Sequence, residues 1–274
     1  MASIQRAPGA ALRPFVRTFW VSEGDRGSAT GTEQREHVLP TGCAHIVVRL
    51  SGPPLRIFDG PNDRVGRVVG SAIVGGPRSG HYVRDVSEPV WAVGAQLLPG
   101  AVSLLLGVPA SDVAERHTPL EDLWGRGVRE LRERLALAGS VDRRLALFEA
   151  ILAARLPRMR GMHPAIADAL SRFDAGADVR ALVARSGYSH RHFVALFREA
   201  VGLAPKRYAR VVRFQAALAR VAARSATSWA DLALAAGYSD QSHFNRDFRG
   251  FAGVTPGHYR DLTPVQSHHV PLRA

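Results

Sequence analysis

The side chains best suited to recognising another molecule lie close together near the C-terminus of this chain. At 100° per residue, the polar and cationic groups of Ser242, Asn245, Arg246 and Arg249 fall on one arc of a predicted helix. Amide and guanidinium groups are the side chains that hydrogen-bond to base edges in the major groove of DNA. The pattern therefore predicts a face that reads nucleic acid.

A helix–turn–helix unit is predicted to hold this face in place. Phe244, Phe248 and Phe251 recur at steps of four and three, so they form the buried side of the same helix. Gly237 precedes this helix and allows a left-handed turn that a β-carbon would oppose. Residues 228–231 begin the preceding helix in a pattern like a capping box, with aspartate in place of glutamate.

The same pattern also occurs earlier in the chain, so residues 178–201 form a first copy of the unit described above. Gly187 precedes Gly237 by 50 residues, and Phe193 precedes Phe244 by 51 residues. The C-terminal copy, which we call the second, therefore has one extra residue in its turn or in the first turn of its second helix. Two tandem copies with a cationic arc make a plain helical bundle the weaker interpretation.

A long amphipathic helix is predicted between the two copies. Val211, Phe214, Leu218 and Val221 are spaced for one buried face within residues 206–223. A helix of about eighteen residues is about 27 Å long. Successive major grooves on one face of DNA are about 34 Å apart, so this helix is long enough to hold the two copies at neighbouring grooves.

The composition agrees with a polyanionic partner. The chain has 274 residues and a formal net charge of +12 at pH 7. Residues 163–274 contain 15 basic and 8 acidic side chains, so the positive charge is somewhat denser there. Such an excess favours nucleic acid. Part of it reflects a general preference for arginine, because Lys206 is the only lysine.

Several other classes of protein are disfavoured. Cys43 is the only cysteine, which excludes an internal disulfide and a multi-cysteine zinc site. No run of eighteen apolar residues occurs, and residues 1–14 lack the apolar segment of a signal peptide. No phosphate-binding loop, Gly-x-Ser-x-Gly elbow or His-Glu-x-x-His motif is present, so no enzyme is predicted. We expect a cytoplasmic protein without a membrane partner.

The N-terminal part has the pattern of a β-rich domain. Runs of β-branched and aromatic residues alternate with Gly and Pro clusters, which predicts an antiparallel, cupin-like barrel or sandwich. Helices are predicted to follow at residues 99–106, 128–137 and 141–156. The whole chain is thus predicted to be α+β, with an all-α C-terminal domain of two helix–turn–helix subdomains joined by a long helix. The predicted strands are residues 15–21, 43–50, 65–74 and 90–98.

The C-terminal residues resemble a known family. Residues 163–262 are similar to the DNA-binding domain of AraC/XylS-type transcriptional regulators. This resemblance implies seven helices, two DNA-reading heads and control of transcription. Together with a plausible linker at residues 157–162, we predict three segments: a sensor or dimerisation domain over residues 1–160, the DNA-binding domain over 161–262 and a loose tail over 263–274. The matching residues of the second copy are Gly237, Tyr238, Asp240, Ser242, Phe244, Arg246, Phe248, Arg249, Gly253, Thr255, Pro256, Tyr259 and Arg260.

The resemblance also implies which residues of the second head touch bases. The family's base-contacting positions fall on Gln241, Ser242, Asn245 and Arg246. Arg249 lies on the same polar arc and completes the predicted DNA-binding set of this head. The glutamine, serine and asparagine side chains can donate or accept hydrogen bonds at base edges, and the two arginines can donate to base edges or phosphates.

The first head departs from the family pattern. Its corresponding positions are His190, Arg191, Val194 and Ala195. The family often has a polar residue and an arginine where this chain has Val194 and Ala195. Neither side chain can form a bidentate contact to guanine, although either can touch a thymine methyl group. We therefore expect His190 and Arg191 to bind DNA and the second head to dominate sequence specificity.

The N-terminal part resembles, more loosely, domains that are fused to such regulators. The resemblance rests on residues 37–43, 98–101, 106–110 and 119–125. It implies a sensing or dimerising role. Double-stranded DNA is the predicted partner, and a small-molecule effector, RNA polymerase and a second copy of the chain are further candidates. No cofactor is expected.

A different class of function stays open for the N-terminal part. His37, Cys43, His45 and His81 are candidate metal ligands of a barrel metalloenzyme, or of a small-molecule-modifying domain, fused to a DNA-binding module. The sequence lacks the close His-x-His pair that such barrels often use, so we predict no metal site. Cys43 is either a redox sensor or a buried inert thiol. The aromatic residues Trp20, Phe58, Tyr82 and Trp91 could line a pocket or simply pack in the core.

Overall fold

The computed structural model of the chain describes residues 2–24, 34–60, 62–157, 161–173, 178–223, 228–264 and 266–272. A β-rich N-terminal domain with trailing helices precedes a helical C-terminal domain, which confirms the predicted α+β class. Within these ranges, no helix is both long enough and apolar enough to cross a membrane. The strands are β1 (Ala2–Arg6), β2 (Val16–Glu23), β3 (Arg35–Val38), β4 (His45–Arg49), β5 (Leu55–Phe58), β6 (Arg67–Gly70), β7 (Ala72–Gly75), β8 (Tyr82–Asp85), β9 (Ala92–Leu97), β10 (His117–Pro119) and β11 (His269–Leu272).

The strands form two antiparallel sheets, and the described strands do not close into a barrel. The first sheet has six strands in the order β1-β2-β9-β4-β7-β10, and the second has five in the order β11-β3-β8-β5-β6. The N-terminal domain is therefore an open sandwich. The predicted strand over residues 65–74 is in fact two strands, because the chain leaves the second sheet after β6 and enters the first sheet at β7.

Helices cover one face of the first sheet and form the main apolar core of the N-terminal domain. Phe19 of the sheet meets Phe148 edge to face, with ring centroids 5.9 Å apart. The predicted helices at 128–137 and 141–156 are present with small shifts at their ends, and the first predicted helix begins three residues late. These helices are α1 (Val102–Leu106), α2 (Ala110–Val113), α3 (Glu121–Trp124), α4 (Gly127–Leu137) and α5 (Val141–Ala153).

The described part of the C-terminal domain has the seven helices that the resemblance implies. Aromatic side chains form much of its core, as where Phe197 meets both Phe173 and Tyr208 with centroids 5.5 and 5.7 Å apart. The long connecting helix is 18 residues in length, as predicted. The helices are α6 (Pro164–Phe173), α7 (Val179–Ser186), α8 (His190–Val201), α9 (Pro205–Ala222), α10 (Trp229–Ala235), α11 (Gln241–Ala252) and α12 (Pro256–Leu262).

The expectation of a loose tail is wrong for the last described residues. Strand β11 pairs antiparallel with β3, so the chain returns to the N-terminal sandwich after its last helix. The side chain of Val270 is fully buried in the core of the helical domain. The hydroxyl of Tyr259 also donates to the carbonyl of Ser267 at 2.8 Å. A strand of four residues has too weak a sequence pattern to be predicted without its partner strand.

We predict that this returning strand stabilises the whole chain. Val270→Ala removes two buried methyl groups from the junction of both domains and should lower the free energy of unfolding by about 1–3 kcal/mol. Urea titration monitored by circular dichroism measures the change. Pro271→Ala is the matched control, because Pro271 is exposed. Equal urea midpoints of unfolding for wild type and Val270→Ala would show that β11 does not stabilise the chain.

Candidate nucleic-acid interface

The second helix–turn–helix unit consists of α10, a tight turn and α11. Gly237 adopts φ +79° in this turn, the left-handed conformation that glycine tolerates best. Asp240 caps α11, since its carboxylate accepts a hydrogen bond of 2.7 Å from the His243 amide. This backbone hydrogen bond lowers the pKa of Asp240. Ser228 caps α10 by accepting from the Asp231 amide at 3.1 Å, as the capping pattern predicts.

An aromatic side of α11 anchors the helix to the connecting helix. Phe214 of α9 packs against Phe248 and Phe251, with ring centroids 5.4 and 4.9 Å apart. Phe244 lies beside Phe248 at 5.6 Å. All of these rings are buried, which confirms the predicted apolar arc. The orientation of α11 is therefore fixed by packing and not by its polar side.

The opposite side of α11 faces solvent. Gln241, Ser242, Asn245, Arg246 and Arg249 are all exposed. The structure thus brings these side chains onto one open face of one helix, where a major groove is accessible to them. The two guanidinium groups form no ion pair with any described residue, so both remain available to an anionic partner.

A buried acid adds an electrostatic attachment that the sequence analysis missed. Asp247, on the inner side of α11, accepts from the Arg210 guanidinium at 2.7 Å and lies 4.0 Å from that of Arg213. Arg213 also donates to the Gly237 carbonyl at 3.3 Å and lies over the ring of Tyr238, 4.8 Å from its centroid. These contacts join the reading helix, its turn and α9 into one unit.

The first unit, α7–turn–α8, keeps the same scaffold. Gly187 adopts φ +71°, and the Ser189 hydroxyl caps α8 by accepting from the His192 amide at 3.3 Å. Phe193 and Phe197 are fully buried on the inner side of α8. Asp178 precedes α7, but its side chain accepts no capping hydrogen bond.

The predicted reading positions of the first head are also open. His190, Arg191 and Ala195 are exposed, and Val194 is half-buried. The structure therefore presents two cationic or polar side chains and two small apolar ones on this face. The chemical difference between the two heads, visible in the sequence, persists in the folded molecule.

The N-terminal domain holds the end of the second reading helix. Nδ1 of His37 donates to the Ala252 carbonyl at 2.9 Å, and Nδ1 of His81 donates to the Phe251 carbonyl at 3.2 Å. The last carbonyls of a helix have no partner inside the helix, so these two rings act as its C-terminal cap. Burial lowers the pKa of both histidines, which favours the neutral form of the two rings. Gly253 follows with φ +74°, and a Cβ there would overlap the His37 ring.

The first head also touches the N-terminal domain. Helix α8 packs against α2. Gly202, which ends α8 at φ +89°, lies close to the Ala110 carbonyl and to the Pro77 ring. The connecting helix is held as well, since the Gln215 amide donates to the Pro40 carbonyl at 2.6 Å. Both heads and their connector are therefore in contact with one domain.

The structure does not assemble the candidate metal ligands of the sequence analysis. The rings of His37 and His81 lie against each other, with centroids 4.3 Å apart and planes tilted by 35°, but both rings bind helix carbonyls. His45 bonds with the Thr41 hydroxyl at 3.1 Å, and Cys43 is buried. Burial raises the pKa of the Cys43 thiol, as for an inert side chain. In the described part of the chain, no group of three or more acidic, histidine or cysteine side chains could hold a metal ion.

Two of the four candidate pocket aromatics, Tyr82 and Phe58, lie on opposite faces of the second sheet. Tyr82 and Arg84 lie on one face of the second sheet, towards the first sheet, because strand residues alternate between faces. Phe58 pairs with Val83 and therefore lies on the other face. There the Arg35 guanidinium lies over the Phe58 ring, 3.6 Å from the ring centroid.

Comparison with known families agrees with this geometry. Residues 182–261 match a family described as "Helix-turn-helix domain", and residues 4–119 match one described as "Domain of unknown function (DUF6597)". The C-terminal domain is a helix–turn–helix domain of the AraC type. The chain is therefore a DNA-binding transcription regulator. No curated protein matches it in sequence.

Solved structures with a similar chain path have low sequence identity to this chain. One is ToxT from Vibrio cholerae, 10% identical, with 90% of this chain and 99% of ToxT covered and a TM-score of 0.46. Another is ToxT from Vibrio cholerae with a bound unsaturated fatty acid, 11% identical, with 88% and 94% covered and a TM-score of 0.46. A third is the xylose-binding transcription activator xylR, 17% identical, with 44% and 39% covered and a TM-score of 0.30.

Proposed function

We propose that this AraC-type regulator reads two successive major grooves with unequal heads. The observation that carries the proposal is the pair of open helix faces on α8 and α11, held apart by α9. A helix of 18 residues is about 27 Å long, close to one turn of DNA. Its packing against both heads makes it a rigid spacer.

The second head supplies most of the base recognition in this proposal. Arg246 can form a bidentate contact to guanine, and Gln241 or Asn245 can do the same with adenine. Ser242 and Arg249 complete the bound face. The first head binds DNA through His190 and Arg191, with phosphate contacts and DNA shape contributing more than direct base reading.

We further propose that residues 1–160 form the controlling domain, residues 161–262 the DNA-binding domain, and residues 263–274 the tail that joins them. A small molecule or a second copy of the chain would act on the controlling domain. RNA polymerase is the partner that control of transcription requires, and the cytoplasm is the compartment where all of these partners meet.

Replacement of Arg246 tests the reading assignment. Arg246→Ala should weaken binding to the specific operator by about 1–3 kcal/mol, because a bidentate base contact is lost. Gel-shift titration on the operator found by genome-wide mapping of bound DNA measures this loss. Arg129→Ala, at an exposed arginine of the N-terminal domain, is the control and should bind like wild type. Unchanged affinity of Arg246→Ala would remove this residue from the reading face.

The two histidines that cap α11 are the route by which the N-terminal domain can affect DNA binding. A signal acts by changing the relative populations of two conformations. Since α8 and α11 both dock on the same domain, a movement of that domain changes the angle between the heads. His37 and His81 connect this movement directly to the second reading helix.

Paired substitutions at these histidines test the route. His37→Phe with His81→Phe removes both donors. Two DNA fragments are compared, a complete two-site operator and a fragment that carries only the second-head site. The ratio of the affinity for the first fragment to the affinity for the second should fall about tenfold in this variant. His37→Asn with His81→Asn keeps an N–H donor at the Nδ1 position and should behave nearly like wild type. Fluorescence anisotropy on both DNA fragments gives the ratio. A folding defect alone would weaken both fragments equally, and an unchanged ratio in the Phe variant contradicts the route.

A further inference from the structure

The inner side of the second reading helix carries a charged group where the helical spacing leads us to expect an apolar one. Asp247 is 7% exposed and lies on the same side of α11 as the buried rings of Phe244 and Phe251. At about 100° per residue, it is roughly 180° from the centre of the reading arc. The 51-residue offset of the repeat places Leu196, half-buried and apolar, at the equivalent position of the first head. The acid therefore calls for a reason other than packing.

Two arginines of the connecting helix hold this carboxylate. The Arg210 guanidinium donates through Nη2 to Oδ1 of Asp247 at 2.7 Å and through Nε to Oδ2 at 3.5 Å. Nη2 of Arg213 lies 4.0 Å from Oδ2. The Arg210 guanidinium thus faces the carboxylate with two donors, one close and one longer, and such a pair fixes direction as well as distance.

Arg213 extends the contact to the turn that precedes α11. Its Nη1 donates to the Gly237 carbonyl at 3.3 Å, and its guanidinium lies 4.8 Å from the centroid of the Tyr238 ring. Arg210 and Arg213 are three residues apart, so they are neighbours on one side of α9. The turn, the reading helix and the connecting helix therefore meet around one carboxylate.

The charged contact is a weak source of stability. Burial of a carboxylate costs desolvation energy that an ion pair often only offsets, and a well-packed apolar side chain can replace such a pair at little cost. The side chains of Arg210 and Arg213 are 52% and 30% exposed, so water can solvate both if the acid is removed. The first head packs Leu196 at the equivalent position. The pair therefore contributes direction more than stability.

The direction of this contact matters because it limits the rotation of α11 about its own axis. The phenylalanine rings decide which side of the helix is buried, but apolar attraction is non-directional. A helix with its side chains is about 10–12 Å across, so a rotation of about 20° moves the tip of a reading side chain by about 2 Å. A hydrogen bond to a base needs a donor–acceptor distance of about 2.7–3.2 Å, and a bidentate contact does not survive that shift.

We propose that Asp247 is a positioning residue for sequence recognition by the second head. Through Arg210 and Arg213, it fixes the angle at which α11 presents its reading side chains to the bases. Asp247 itself touches no DNA, since it lies on the buried side of the helix. This inference rests on the proposed reading role of the second head, and it adds a physical reason for the unequal heads, because Leu196 cannot form such a pair in the first.

Replacement of the acid by the residue of the first head tests the proposal. Affinities of Asp247→Leu are measured by fluorescence anisotropy for the fragment that carries only the second-head site and for a random-sequence fragment of equal length. The ratio of the first affinity to the second should fall about tenfold, because a bidentate base contact discriminates by about that factor. Glu199→Gln, at an exposed acid of α8, changes the net charge equally and should keep the wild-type ratio.

The pattern of the loss separates positioning from direct base contact. Asp247→Leu should weaken discrimination at every base pair under α11, whereas Arg246→Ala should weaken it at one base pair. Affinities for fragments with single base-pair changes across the site give this pattern. If Arg246→Ala leaves every base preference intact, the proposed reading role fails. If Arg246→Ala has its local effect while Asp247→Leu matches wild type, the positioning role alone is overturned.

Two further variants separate positioning from a folding defect. Asp247→Asn keeps the shape of the side chain and removes its charge, so it carries the test if Asp247→Leu does not fold. Arg210→Met removes the partner, and the double variant with Asp247→Leu should lose no more than the larger single loss, because both changes act on one contact. Additive losses would contradict the proposed route. Equal losses on specific and random DNA, together with a lower urea midpoint of unfolding, would show a purely structural role and overturn the proposal.

Discussion

The packing of the aromatic side of α11 against the connecting helix is the interaction on which the functional architecture depends. Phe214 contacts both Phe248 and Phe251, and this contact decides which side of α11 is left for solvent. Burying a phenylalanine side chain stabilises a protein by about 1.5–3 kcal/mol, more than any single exposed polar contact on the helix can offset. The polar side chains on the opposite side are therefore not needed to hold the helix.

A second constraint comes from the N-terminal domain. It contacts the end of the second reading helix through two histidines, the end of the first through α2, and the connector through Pro40. The returning strand β11 adds a further attachment, because it pairs with β3 beside the same junction. With contacts at each of these points, the sandwich acts as a frame that sets the relative orientation of the two heads.

Much of the helical domain could be predicted from the sequence, since its features are local and periodic. The spacing of Phe244, Phe248 and Phe251 defines a helix face, and Gly237 marks the turn before it. The contacts that join distant segments could not be predicted in this way. Asp247 and Arg210 are 37 residues apart, and His37 is 215 residues from its partner Ala252. No spacing rule connects such pairs, because only the folded chain brings them together.

The most direct test of this account is protection of guanine N7 from methylation along the operator, because this atom lies in the major groove. The account predicts two protected clusters on one face of the duplex, about 10 base pairs apart, with stronger protection under the second head. A single cluster, or two clusters on opposite faces of the duplex, would contradict the arrangement of two heads held by a rigid helix.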